Sequence, residues 1–103
     1  MPETAPSIRR LASEEIRTRL KESPGWRFED DKLHKEFIFK NFQEAFGFMA
    51  SAALAAESMN HHPDWSNSYK KVLVNLTTHE VKGVSERDFE LAKKMDHFVR
   101  RET

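Results

Sequence analysis

The sequence predicts an α+β fold, a single domain in which three helices pack on one face of an antiparallel four-stranded sheet. Some segments repeat apolar residues with the period of a helix, whereas others alternate apolar and polar residues as strands do. Their order is helix, hairpin, helix, short strand, strand, helix, which is typical of an α+β domain. The 103 residues suffice for one hydrophobic core but not for two.

The first ten residues are expected to form a disordered leader, and residues 11–103 are expected to form the domain. The leader carries two prolines and few apolar side chains, so burial would not offset the entropy lost on ordering it. A first helix follows, with Ser13 as its cap and acidic residues in its first turn. Pro24 and Gly25 end that helix.

Two segments have the alternation of strands. Residues 26–40 alternate on both sides of the acidic pair Asp30-Asp31, which predicts a β-hairpin. Residues 69–78 alternate again and predict the last strand of the sheet. Ser85, followed by Asp88 three residues later, marks the start of the final helix.

The most strongly helical segment begins at Asn41 and ends near Met59. Apolar residues occupy two of its faces, and the sheet of the same chain can cover only part of them. We therefore expect a homodimer or homotetramer formed through this helix, with small residues such as Ala50 and Ala52 allowing two helices to approach closely. An ordinary alanine-rich core helix is the alternative interpretation.

The composition excludes several classes of protein. Seventeen basic residues balance 17 acidic ones, so no net positive field favours nucleic acid, and we expect no direct nucleic-acid binding. The absence of cysteine excludes disulfides and thiolate chemistry. No segment resembles a signal peptide or approaches the roughly 20 apolar residues of a membrane span. We expect a cytoplasmic protein without membrane contact, or a nuclear one if the source is eukaryotic.

Three of the five histidines, His61, His62 and His79, lie in the middle of the chain. Imidazole gains and loses protons near neutral pH, so the cluster indicates proton transfer or metal binding. Pro63 restricts His62 to extended conformations, in which neighbouring side chains diverge. This divergence argues against a three-histidine zinc site, which remains a competing hypothesis.

The pattern around these histidines resembles the pterin-4a-carbinolamine dehydratase family. The residues that carry the resemblance are Glu57, His61, His62, Pro63, Trp65, His79 and Asp88. It extends from about Leu11 to Val99, and it departs from the family at Asn60, where members more often have Asp.

The resemblance implies a hydro-lyase. Its substrate would be 4a-hydroxytetrahydrobiopterin, which it would convert to quinonoid dihydropterin and water, recycling the pterin cofactor of aromatic amino acid hydroxylases. Two proton transfers are sufficient, so no cofactor and no metal are expected. His61 and His79 would form the acid/base pair, and His62 would chiefly hold the substrate. Glu57 lies one helical turn before His61, where its carboxylate could accept an imidazole N–H and orient that ring.

The resemblance also implies which residues contact the pterin. They are Asn60, His61, His62, Pro63, Trp65, Thr77, Thr78, His79, Glu80 and Asp88. For two of them a structural role explains the residue equally well, because Trp65 could be a core residue and Asp88 could cap the final helix.

A second class of function is an oligomeric binding protein. Some animal members of the resembled family act as dimerisation cofactors of a homeodomain transcription factor, so a transcription-factor partner is the alternative expectation. A binding role predicts that replacing His61 and His79 leaves function intact, whereas the enzyme role predicts the opposite.

Overall fold

The structure, a computed structural model, describes residues 8–102. Its elements are α1 (Ser13–Leu20), β1 (Arg27–Glu29), β2 (Lys32–Ile38), α2 (Phe42–Met59), β3 (Asp64–Ser68), β4 (Lys71–Leu76), a 3₁₀ turn (His79–Val81) and α3 (Glu86–Glu102). The four strands form one antiparallel sheet in the order β1-β2-β4-β3, which confirms the predicted fold class. Residues 1–7 of the expected leader lie outside the described residues. Within residues 8–102, no helix combines the length and the apolar content needed to cross a membrane.

The predicted hairpin is confirmed, and its turn explains its register. Glu29 pairs directly with Lys32, leaving Asp30 and Asp31 as a two-residue turn. Both aspartates have positive φ, 54° and 60°, as a type I′ turn requires. Short polar side chains tolerate this backbone conformation better than β-branched ones.

The core lies between the helices and one face of the sheet. Alternate residues of the two central strands point into it, and the side chains they bury are Leu33, Phe37, Val72, Val74 and Leu76. The residues between them lie on the open face of the sheet, where Ile38 and Leu73 are exposed. This alternation is the one predicted for residues 69–78, although the structure begins β4 at Lys71 because Tyr69, with φ of 55°, belongs to the turn after β3.

The central helix buries one of its two apolar faces in its own chain. Its fully buried residues are Ala45, Phe48, Ala52 and Ala56. Ala52, which was expected at a helix-to-helix contact with a second chain, therefore packs in the core instead. The outer face leaves Phe42, Phe46 and Leu54 exposed, Leu54 by 73%.

The starts of the first two helices differ in how well the sequence predicted them. α1 is preceded by Ala12 as its cap rather than Ser13, because the Glu15 carboxylate accepts a hydrogen bond from the Ala12 N–H at 2.8 Å. α2 starts as predicted, since the Asn41 side chain accepts from the Glu44 N–H at 2.9 Å.

Candidate active site

The end of α2 determines where the two adjacent histidines go. Asn60 adopts a left-handed conformation with φ of 53°, and its N–H donates to the Glu57 carbonyl at 3.0 Å. The next N–H, that of His61, donates to the Ala56 carbonyl at 3.0 Å. This pair of bonds is the Schellman arrangement that ends a helix and turns the chain back. As a result His61 lies in the interior, with 7% of its surface exposed.

His61 is held by a buried carboxylate from the first turn of α3. Its Nε2 lies 2.6 Å from Oδ1 of Asp88, whose side chain is completely buried. The other carboxylate oxygen, Oδ2, accepts from the Thr78 hydroxyl at 2.7 Å and from the Ser85 N–H at 2.9 Å. Asp88 therefore caps α3 as predicted and at the same time holds an imidazole from the end of α2.

His62 forms a second histidine–carboxylate pair, on the surface. Its Nε2 lies 2.8 Å from Oε1 of Glu57, and the two side chains are 57% and 75% exposed. The expectation that Glu57 orients His61 is thus wrong. A spacing of four residues places two side chains together only while the helix continues, and this helix ends at Asn60.

The third histidine of the cluster follows β4. His79 begins the 3₁₀ turn and is exposed, as is its neighbour Glu80. Thr78 immediately precedes it and pairs with Gly83 in an isolated bridge, which fixes the backbone at this point. The Thr78 hydroxyl donates to Asp88, so the residue just before His79 belongs to the network that holds His61.

The remaining predicted contact residues lie on the elements around these histidines. Thr77 donates its hydroxyl to the Asp31 carbonyl of the hairpin turn at 3.0 Å. Trp65 lies on β3 opposite Val74 and packs, partly buried, against the core. Pro63 is half-buried just before β3. The structure therefore gives Trp65 a packing role, and its contact with a substrate stays a prediction.

One ring nitrogen of His61 and one of His62 lie within hydrogen-bond distance of a carboxylate. The two carboxylates come from different helices, α3 for His61 and α2 for His62. Within the described residues, no group of three histidine, aspartate or glutamate side chains is placed to hold a metal ion. A cleft of about 480 Å³ lies elsewhere, between α1, β2 and α3, with Lys35 and Phe89 among its lining residues.

Ser85, which the sequence marked only as the start of a helix, also belongs to the hydrogen-bond network around Asp88. It is 1% exposed, and its hydroxyl lies 2.7 Å from that of Thr78. The spacing Ser85-x-x-Asp88 predicted the cap, but no pattern in the sequence indicated that the same carboxylate would reach His61.

Over most of its length the chain is similar to known proteins. The model of a family described as pterin 4 alpha carbinolamine dehydratase matches residues 9–98. A relative from Afipia carboxidovorans, provisionally named as such a dehydratase, is 52% identical over 93 residues, 88% of this chain and 93% of its own. One from Solibacter usitatus, named in the same way, is 47% identical over 87 residues, 84% and 92% of the two chains. The crystal structure of a "transcriptional coactivator/pterin dehydratase" from Brucella melitensis is similar with a TM-score of 0.86 and 43% identity, over 87% of this chain and 98% of that one.

Proposed function

The chain belongs to the pterin 4 alpha carbinolamine dehydratase family, and on that basis we propose that it dehydrates 4a-hydroxytetrahydrobiopterin. The product is quinonoid dihydropterin, and the reaction recycles the pterin cofactor of aromatic amino acid hydroxylases. A cytoplasmic location belongs to the same proposal.

The observation that carries the proposal is the buried pair of His61 and Asp88. A carboxylate that accepts a hydrogen bond from one ring nitrogen fixes the orientation of an imidazole and raises the basicity of the other nitrogen. A general acid or base works best when it is held in one position, and His61 is held by an element other than its own. By contrast, an incidental surface histidine needs no buried carboxylate.

The chemistry requires two proton transfers. The proton on N5 of the pterin goes to a base, the C4a–O bond breaks, and the leaving hydroxide takes a proton from an acid and departs as water. The electron pair of the N5–H bond forms the new C4a=N5 double bond. We assign the two transfers to His61 and His79, one of which acts as the base and the other as the acid.

The substrate is bound, in this proposal, by the surface that surrounds the two imidazoles. His62, steadied by Glu57, supplies a polar contact on one side. The other residues proposed to contact the pterin are Asn60, Pro63, Trp65, Thr77 and Glu80. A flat bicyclic ring suits a site of this kind, where one aromatic side chain and a few polar groups are enough to orient it.

The test is an assay of dehydration with freshly generated 4a-hydroxytetrahydrobiopterin, compared with buffer alone because the substrate also dehydrates slowly unaided. We expect the protein to accelerate the reaction, and His61→Ala or His79→Ala to lower turnover by about 10²–10⁴-fold each, the usual contribution of general acid/base catalysis. His97→Ala is the matched control, since His97 is exposed on α3 away from the cluster. Wild-type rates in both variants would exclude the mechanism.

A second function, as a binding protein for a transcription factor, has its own support. The related Brucella melitensis structure carries the words "transcriptional coactivator" in its description. In this chain the outer face of α2 exposes Phe42 and Phe46, whose rings lie 5.6 Å apart. Exposed apolar patches of this kind mark interaction surfaces. If this were the main function, His61→Ala would preserve binding of the partner, and a charge at Phe46 would remove it.

A further inference from the structure

Three hydrogen-bond donors converge on the buried carboxylate of Asp88. The Ser85 N–H and the Thr78 hydroxyl both donate to Oδ2, at 2.9 and 2.7 Å. His61 Nε2 faces Oδ1 at 2.6 Å. An ionised carboxylate is an acceptor only, so it satisfies all three contacts at once.

The directions of the hydroxyl bonds follow from counting protons. Thr78 has one hydroxyl proton, and it is used by Asp88. The contact of 2.7 Å between the hydroxyls of Thr78 and Ser85 must therefore use the proton of Ser85. The Ser85 oxygen in turn accepts from the Arg87 N–H at 3.2 Å. Every hydrogen bond in this series thus points toward the carboxylate. Ser85, Thr78 and Asp88 are each at most 1% exposed.

This arrangement determines which nitrogen of His61 is free. Because Asp88 accepts, the proton between the two groups lies on Nε2 of the neutral ring. Nδ1 has no hydrogen-bond partner among the described residues. Within the same residues, no fully buried side-chain nitrogen or oxygen lacks a partner, so Nδ1, which has none, retains some exposure to solvent.

We propose that His61 exchanges its proton with the substrate through Nδ1, and that Asp88, Thr78 and Ser85 are positioning residues that hold the ring in the Nε2–H form. The inference rests on the proposed dehydratase function and refines its site. In this proposal the side chains of Thr78 and Asp88 hold the imidazole in place and do not make the substrate contact expected for them.

The first test needs no variant. Nitrogen-15 NMR of the histidine rings distinguishes a protonated from an unprotonated nitrogen, so it reports the tautomer of His61 directly. Above the pH at which the ring becomes neutral, we expect Nε2–H and an unprotonated Nδ1. A proton on Nδ1 in the neutral ring would overturn the proposal, whether or not the protein proves to be a dehydratase.

Asp88→Asn provides the second test, because it should invert the tautomer. Two donors, the Ser85 N–H and the Thr78 hydroxyl, face the position of Oδ2 and select the amide oxygen there. The amide NH₂ then points at His61, whose Nε2 must accept, and the proton moves to Nδ1. We expect a drop in turnover of about 10²–10⁴-fold together with the inverted nitrogen-15 pattern.

Asp96→Asn is the matched control. Asp96 lies eight residues further along α3, is partly buried with 20% of its side chain exposed, and accepts from Trp26 Nε1 and from Lys35. Its replacement removes a partnered carboxylate of the same helix without touching His61, so the tautomer and the turnover should stay as in the wild type. An Asp88→Asn variant with normal turnover, or with an unchanged tautomer, would contradict the proposal.

Thr78→Val and Thr78→Ser decide the matter even if Asp88→Asn does not fold. Without the hydroxyl, Asp88 loses one of its anchors, and we expect a mixture of both tautomers of His61 and a fall in turnover of about tenfold. Serine restores the hydroxyl, and with it the single tautomer and the rate. If Thr78 only stabilised the fold, the valine variant would have a lower melting temperature but an unchanged tautomer, and the proposal would fail.

Discussion

His61 and His62 are neighbours in the chain but occupy opposite environments. One is buried against a buried aspartate, and the other lies at the surface against a glutamate that is 75% exposed. An exposed pair has side chains that move and is weakened by solvent, whereas a buried pair is held in one geometry. The environments favour a division of labour in which His61 transfers protons and His62 binds.

That division predicts the kinetics of His62→Ala. Removal of one hydrogen-bonding group that contacts bound substrate should raise KM by roughly tenfold, the equivalent of a single bond to a polar ligand, and change kcat by less than about threefold. Steady-state kinetics of the purified variant measure both constants. A fall in kcat as large as that of His61→Ala would show that His62 belongs to the proton-transfer pair.

The sequence was enough to propose the three histidines as site residues, because their order and spacing form a long pattern, and that assignment stays a prediction. The partner of His61 could not be predicted in this way. A carboxylate four residues before a histidine is a good partner on a continuous helix, but Asn60 ends the helix in a left-handed conformation. The carboxylate that holds His61 comes instead from Asp88, 27 residues away in sequence. Such a contact depends on how α2 and α3 pack, which local patterns do not encode.

At the scale of elements, the N-terminus of α1 is stabilised by one carboxylate with several partners. Glu15 accepts from the Ala12 N–H and from both terminal nitrogens of the Arg9 guanidinium, at 2.8 to 2.9 Å. The bonds to Arg9 first, and the bond to Ala12 second, lower the pKa of Glu15 from 4.5 to about 2. A similar link joins α1 to α3, where hydrogen bonds from Arg19 lower the pKa of Glu86.

These shifts predict a loss of stability in acid. A carboxyl group with a depressed folded-state pKa stabilises the fold above its unfolded value, and that contribution disappears as pH falls. For Glu15 the window runs from pH 4.5 down to about 2. Glu15→Gln should therefore be less stable than the wild type at pH 6 and lose less stability between pH 6 and pH 3, as measured by urea unfolding at low salt.

Glu14→Gln is the control for that comparison, since it removes the same charge from the same helical turn without breaking the bonds to Ala12 and Arg9. If the two variants respond to acid identically, the hydrogen bonds of Glu15 do not contribute to the pH dependence. Added salt should reduce the difference, because the pair with Arg9 is at the surface.

At the scale of the whole molecule, alternation and helical period were enough to predict the fold class, because each strand of the sheet has one covered face. They were not enough to orient the central helix. Two of its faces are apolar, and only the packing of α2 on the sheet and α3 shows that Phe48 faces inward and Phe46 outward. The face left uncovered is a property of the assembled layers, not of the helix alone.

The uncovered face predicts the oligomer and the variant that dissociates it. Phe42, Phe46, Ala50 and Leu54 follow one another at intervals of four residues, so they form one ridge along α2. Leu54 is 73% exposed and has little role in the core of its own chain. We propose a homodimer or homotetramer formed through this ridge, and we expect Leu54→Glu to shift the protein to monomers in sedimentation equilibrium while the circular dichroism of the fold is preserved.

Leu73→Glu, on the open face of the sheet, is the control for an added charge at an exposed leucine. A wild-type protein that stays monomeric at all concentrations, or an oligomer that survives Leu54→Glu but not Leu73→Glu, would exclude the helix as the contact.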